Sequence, residues 1–451
     1  MSLSYTLEKA ATMMGLSVAP TDNARAVTGV STDTRSLAPG DLFFALQGDN
    51  FDGNTFIAEA FARGASAAVT TIQQTGGPCL VHPEPLQLLQ RFAKEHRRQS
   101  PATVIAITGS CGKTTTKDFA AALLASQYAV TKTQGNLNNE IGCPLSLLHI
   151  SSSTQYALIE MGANHRGEIA FLCDMAQPNE SAITMIAPAH LEGFGSLDAV
   201  AQTKGEIVDA LGDQGCFYVN VDDPHCVAMA ARHKGDKILL GSHGDVVLES
   251  LQFDESGEML LTIHPIGTIR LPLVVKAHST GVLFAVAMGL RHGISEFEGP
   301  LREACKNTAR FKVLSFHDRV ILDDSYNANP ASMTAALQTL SDYPGNKKIA
   351  VLGSMFELGD RSKDLHEEVG RSAGRLQIDR LFALGPDAAH LVSGARAEGL
   401  THATAYESHD AIAEALRASF LPGDVLLLKG SRGMAMETII GLLDTLLTSS
   451  L

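Results

Sequence analysis

The stretch that most constrains this chain is Thr108-Gly109-Ser110-Cys111-Gly112-Lys113-Thr114-Thr115-Thr116. The segment before it, Thr103 to Ile107, is short, apolar and β-branched, the pattern of a buried parallel strand. The segment after it, Lys117 to Ala129, is rich in Ala and Leu and predicts a helix. A strand, a glycine-containing turn and a helix in succession leave free backbone N–H groups at the helix start, where the helix dipole also favours an anion such as phosphate. Gly109 and Gly112 let the backbone wrap closely, Lys113 brings a positive charge, and the Thr114 hydroxyl can reach a magnesium ion. The motif departs from the full phosphate-loop pattern, which has a first glycine where this chain has Ile107. An ordinary turn with a solvated lysine does not account for the glycines and hydroxyls gathered around Lys113.

A chain of 451 residues is too long for one typical domain, and its 45% hydrophobic content is ample for several packed cores. The formal charge of −14 argues against a nucleic-acid or anionic-membrane surface, while a local cradle can still hold an anionic ligand. The seven cysteines are scattered, with no Cys-x-x-Cys pair, which predicts reduced thiols in a cytoplasmic protein. Cys111 within the loop reads as a bystander. No apolar run reaches the roughly 18 residues needed to span a bilayer. The first residues lack the basic start and apolar core of a signal peptide.

Taken in order, the chain predicts an α/β protein of three domains. Residues 1–84 form a small α/β unit, with a helix over Leu7 to Leu16, a strand over Asp41 to Leu46 and a polar turn from Gln47 to Asn54. Within it, Thr32-Asp33-Thr34-Arg35 taken alone reads as a solvated turn. Residues 85–311 carry the phosphate loop and further strands at Tyr156 to Glu160, Ser181 to Ile186 and Cys216 to Val221, with helical patterns between them. A parallel sheet with helices on both faces follows, and its ligands bind at the carboxyl ends of the strands. Residues 312–451 alternate strands at Val320 to Asp324, Lys348 to Leu352, Arg380 to Leu384 and Val425 to Lys429 with helices, a second, Rossmann-like α/β domain.

Several polar residues sit at predicted strand ends. Glu160 is placed where nucleotide enzymes hold a magnesium-binding carboxylate. His190 lies in the glycine-bracketed loop Ala187 to Gly195. Lys204 reads, on composition, as a solvated helical lysine. Asp324 to Pro330 is a polar loop whose proline can start the next helix. Lys429-Gly430-Ser431-Arg432 is a second possible anion site, and Arg310 precedes the last unit. Together these loops predict a composite cleft.

These stretches resemble the Mur ligases, and within that family the members that join D-alanyl-D-alanine to UDP-N-acetylmuramoyl-tripeptide. The resemblance rests on Thr108 to Thr114, Gly135-Asn136-Leu137-Asn138-Asn139-Glu140-Ile141-Gly142-Cys143-Pro144, Glu160-Met161-Gly162-Ala163-Asn164, Ala189 to Gly195, Lys204-Gly205-Glu206, Asp324 to Pro330 and Lys429 to Arg432. It implies that Gly109, Ser110, Cys111, Gly112, Lys113, Thr114 and Thr115 cradle the phosphates of ATP. Thr114 and Glu160 would hold one Mg2+, and His190 would help with a second. Lys204 matches a lysine carried as a carbamate that helps position that second metal. Arg310, Asp324 and Asn327 would meet the nucleotide. Thr34, Arg35, Gly48 and Asp52, with Asn138 and Asn139, would meet the UDP-sugar peptide. The family's Gly-x-His-Asn-x-x-Asn stretch, whose asparagine contacts adenine, corresponds here to Val275 to Val282, which has neither asparagine.

The implied mechanism is activation of the peptide carboxylate by ATP as an acyl phosphate, followed by attack of the D-alanyl-D-alanine amine. It implies a cytoplasmic monomer whose outer domains close on the central one. A ligase adding the third amino acid of the peptide is the nearest alternative, but the Asp-Asn-Pro-Arg motif of those that take diaminopimelate is missing. A folate- or cyanophycin-type ligase is a further alternative. A non-catalytic nucleotide-binding module would need the loop but not Glu160, His190 and Lys204 together.

Overall fold

The computed structural model describes residues 3–48, 51–188, 191–254, 258–273, 275–307 and 311–448. Its backbone divides into three principal sheets with helices packed against them. The first is parallel, four-stranded and in sequence order: Gly29–Ser31, Asp41–Phe44, Ala67–Thr70 and Cys79–Val81. Beside it a short hairpin pairs Gln47–Gly48 with Phe51–Asp52. The helix Leu7–Met14 is capped by the Thr6 side chain and ends at Gly15, whose φ of 76° suits glycine.

The central sheet has nine strands. Thr103–Thr108 lies in its interior between Tyr156–Glu160 and Glu180–Ile183, with Cys216–Asn220 beyond the latter. All four run parallel, and the register pairs Glu160 with Ile107 and Ile183 with Thr108. The carboxyl ends of the loop strand and of the Glu160 strand therefore lie side by side. Alternation along the loop strand explains its burial. Val104 and Ala106 join a core that includes Phe92 and Leu172, whereas Ile105 and Ile107 join another with Phe119, Leu123 and Phe284. Helices cover both faces, as a continuous apolar strand requires.

Three expectations change here. The helix after the loop is Lys113–Ala125, four residues earlier than the sequence predicts, so the loop lysine is its first residue. The turn ends at Gly112 (φ 84°), and the following threonines form the first helical turn rather than a linker. Beyond Asp236–Gly241 the sheet also continues through Val246–Phe253 into Met259–His264 and Gly267–Leu271, and the last two pairings are antiparallel. The strand expected over Ser181 to Ile186 is shorter, Glu180–Ile183.

The third sheet has six strands in the order Lys312–Phe316, Arg319–Asp324, Val425–Lys429, Lys348–Gly353, Arg380–Leu384 and Ala403–Tyr406. All but the first pair are parallel, and Asp324 lies opposite Lys429 at their carboxyl ends. Among the described residues no helix is long and apolar enough to cross a membrane.

Candidate active site

Three features build the phosphate loop. Gly109 has φ 144°, and a Cβ there would fall 1.9 Å from Thr184 Oγ1, so any side chain would push the loop off the neighbouring strand end. Thr184 in turn donates to the Cys111 carbonyl, and Ser110 Oγ donates to Ala187 O at 2.8 Å. Lys113 Nζ donates to Gly109 O at 2.8 Å, which folds its charge back over the loop. Cys111 lines the cleft with the rest of the loop.

Behind the loop stands Glu160, almost wholly buried at 1% exposure. Its Oε2 accepts from the Thr114 hydroxyl at 2.8 Å and its Oε1 from the Asn138 amide at 2.8 Å. Thr114 is in the first helical turn and Glu160 ends the adjacent strand, so the parallel register is what brings them together. Asn138 thus touches the carboxylate directly, while the Asn139 side chain accepts from the Gly142 backbone at 2.9 Å and caps the following turn.

The Thr114 and Glu160 donors fit magnesium. Both are hard oxygens, and magnesium takes one or two protein oxygens while filling its shell with water and phosphate. Among the described residues no cluster of three or more His, Cys, Asp and Glu forms a closed protein cage.

Lys204 overturns the reading from composition. It lies on the helix Leu197–Asp209 and is 1% exposed, not solvated. Its Nζ lies 5.9 Å from the centroid of the Phe194 ring. Burial, and after it the nearby charge of Lys113, pushes its amine down to about 7, with Glu168 opposing.

The cleft has a volume of about 1250 Å³ and joins the central sheet to the third. The phosphate loop, Asn138, Glu160 and Lys204 wall one side, and Asp324, Asn327, Lys429 and Arg432 the other. Lys429 is buried and donates to Asp324 Oδ2 at 2.5 Å and to Asn327 O at 2.9 Å, which ties the two strand-end loops together. His278, in the stretch that lacks the family's asparagines, also lines this space with Phe311, their rings 6.3 Å apart and edge-on.

Not every expected residue converges there. Thr34 is buried in its turn, and Arg35 is exposed and paired with Asp33 at 2.6 Å. Gly48 pairs with Phe51 and Asp52 with Gln47 across the small hairpin, where Asp52 accepts from the Asn54 backbone at 2.9 Å. None of these four lines the cleft. His190 and Arg310, and Asp49 and Asn50, lie outside the described residues.

One residue next to the site was missed from the sequence. Lys117 is 2% exposed and lies 3.9 Å from Glu160 Oε2. Its signal was the spacing from Lys113, one helical turn away on the same face.

Models of three Mur ligase domains match this chain: the family's catalytic domain at 26–84, the middle domain at 107–289 and the glutamate ligase domain at 309–432. The chain belongs to the Mur ligase family. It is 34% identical over 431 residues to the UDP-N-acetylmuramoyl-tripeptide–D-alanyl-D-alanine ligase of Bacillus subtilis, covering 92% of each chain. Its fold matches MurF from Acinetobacter baumannii with a TM-score of 0.89 at 30% identity, covering 98% of this chain and 99% of that one. MurF from Thermotoga maritima in complex with ADP matches with a TM-score of 0.84 at 28% identity, covering 94% and 99%. As a Mur ligase the chain is a peptide ligase with three α/β domains.

Proposed function

We propose that this chain joins D-alanyl-D-alanine to UDP-N-acetylmuramoyl-tripeptide, consuming ATP and releasing ADP and phosphate, in the cytoplasm and as a monomer. The observation that carries the reading is the shared cleft in which the phosphate loop, Glu160 and Lys204 face the Asp324 and Lys429 loops. The likeness to relatives bearing that ligase name over nine-tenths of the chain favours this acceptor over a third-residue amino acid or a purely regulatory nucleotide site. The domains are read as 1–84 for the UDP end, 85–311 for ATP and 312–451 for completing the nucleotide site.

In this reading a carboxylate oxygen of the peptide attacks the γ-phosphorus of ATP, and ADP leaves with the electrons of the broken P–O bond. The D-alanyl-D-alanine amine then attacks the acyl carbon, loses a proton, and phosphate departs. Lys113 and the loop N–H groups, directed at the phosphoryl oxygens, stabilise the charge that builds there. Thr114 and Glu160 would hold a magnesium ion, and His190 with Lys204 a second. Magnesium, when bound, neutralises the terminal phosphates. Asp324, Asn327 and Arg310 would hold the nucleotide from the third domain. Thr34, Arg35, Gly48 and Asp52 would hold the UDP end, with Asn138 and Asn139 toward the peptide. A closed cleft keeps water from the acyl phosphate. Peptide labelled with ¹⁸O in its terminal carboxylate should pass one labelled oxygen into the released phosphate. Unlabelled phosphate would overturn the acyl-phosphate route.

Lys204 would act as a carbamate. Its neutral amine attacks carbon dioxide, forming an N–C bond and releasing one proton. An ordinary lysine is almost wholly protonated near neutrality, whereas a buried amine at about 7 is not. Carbamylation should therefore decline as pH falls below about 7. Lys204→Met should lower turnover by roughly ten- to a hundredfold and abolish a carbamate ¹³C signal seen with labelled bicarbonate. Full activity in that variant, or a signal that persists, would count against the role.

A further inference from the structure

Glu160 is a carboxylate without solvent, and its hydrogen bonds come from neutral groups, the Thr114 hydroxyl and the Asn138 amide. Such donors orient an anion but do not balance its charge, and a buried charge without a counter-charge is costly. Among the described residues, Lys117 is the one cation within ion-pair distance of Glu160, at 3.9 Å from Oε2.

Lys117 is itself fixed. Its Nζ donates to Thr133 O at 2.7 Å and lies 3.5 Å from Asp118 Oδ1. Asp118 is shared with Lys132 at 2.7 Å, so that acid has a cation of its own. Thr133 closes the arrangement from the other side. Its Oγ1 accepts from the Glu160 backbone N–H at 3.0 Å, and its own N–H donates to Leu158 O at 3.0 Å. One buried lysine therefore touches the carbonyl of the same residue whose hydroxyl holds the Glu160 backbone. The helix that begins with Lys113 supplies the position, because residue 117 is one turn further on and on the same side. Lys113 faces the loop and Lys117 faces the carboxylate behind it.

We propose that Lys117 is a positioning residue: its buried ammonium, anchored on the Thr133 carbonyl, holds the Glu160 carboxylate in place to receive a divalent cation beside Thr114. The inference rests on the reading given above that Thr114 and Glu160 hold the metal. It adds a residue that does not touch the metal. The group behind a metal carboxylate sets how firmly that carboxylate is presented, and loss of such a group typically weakens metal binding by about 10- to 100-fold.

The test is a titration of the full chain with manganese in the presence of ADP, followed by electron paramagnetic resonance. Lys117→Met keeps length and burial but removes the charge. It should bind manganese about tenfold more weakly than the unaltered chain. In the phosphate-release assay, the magnesium concentration giving half-maximal rate should rise by a similar factor, and the rate at saturating magnesium should return to within a few-fold. A lysine that merely supports the core would alter the melting temperature without moving the magnesium dependence. Lys117→Gln removes the charge while keeping an N–H group that can reach the Thr133 carbonyl, and it should shift manganese binding in the same direction. It decides the matter if Lys117→Met does not fold. Manganese binding unchanged in a folded Lys117→Met, or in Lys117→Gln where the first variant fails to fold, overturns the inference alone. An unaltered chain that binds no manganese with ADP overturns the metal reading, and the inference with it.

Discussion

Lys113→Ala is expected to lower ligase turnover by about two to three orders of magnitude, the scale of losing one preorganised charge-stabilising group. The side chain lies along the loop, its Nζ 2.8 Å from the Gly109 carbonyl, at the start of the helix whose dipole already favours anions. Truncation removes the charge that meets the terminal phosphates and leaves the Gly109 carbonyl without that donor. The fold should tolerate it, because the loop is also held by Thr184 on Cys111 and by Ser110 on Ala187. Melting should therefore stay close to that of the unaltered chain while phosphate release collapses. Near-normal turnover would remove the phosphate-loop assignment.

Glu160→Gln should be nearly as damaging, with turnover falling by roughly a hundredfold or more. The substitution keeps size but replaces one acceptor oxygen by an NH2 group. Glu160 accepts from Thr114 on one oxygen and from Asn138 on the other, so the new NH2 group must face one of those partners, which then has to accept rather than donate. The Lys117 ammonium also loses its ion-pair partner in a site without solvent, and breaking a buried pair costs on the order of 3–5 kcal/mol. That figure is an upper bound here, because Lys117 keeps Thr133 and Asp118. Lower thermal stability is expected together with a higher magnesium requirement. A variant with normal magnesium dependence would show that Glu160 is not a metal carboxylate.

How legible each part was in the sequence follows from whether its cause is local. The strand Thr103–Thr108 and its glycine turn were readable because a β-branched run and glycines act on their own neighbourhood. The start of the next helix was set too late, since Thr114 to Thr116 have modest helix propensity and resemble loop hydroxyls. That misplacement hid Lys117: at an expected helix start it is unremarkable, but one turn inside the helix it shares a face with Lys113. Lys204 was misread for a different reason. A lysine flanked by threonine and glycine carries no local sign of burial, and its 1% exposure depends on packing distant in sequence. The partnership of Glu160 with Asn138, 22 residues apart, depends on how the chain between them returns to the strand end. The antiparallel extension from Val246 to Leu271 was not anticipated either. No spacing rule places Thr34, Arg35, Gly48 and Asp52 relative to the cleft, because their distance from it is fixed by how the first domain sits on the second.

The central claim is the identity of the two joined substrates, and one assay reaches it directly. Phosphate release from ATP and magnesium is measured with UDP-N-acetylmuramoyl-tripeptide, with and without D-alanyl-D-alanine, and the product is weighed by mass spectrometry. The account predicts release that depends on both substrates and a UDP-N-acetylmuramoyl-pentapeptide product. Release that ignores D-alanyl-D-alanine, or that needs the dipeptide form and a diamino acid instead, would contradict it.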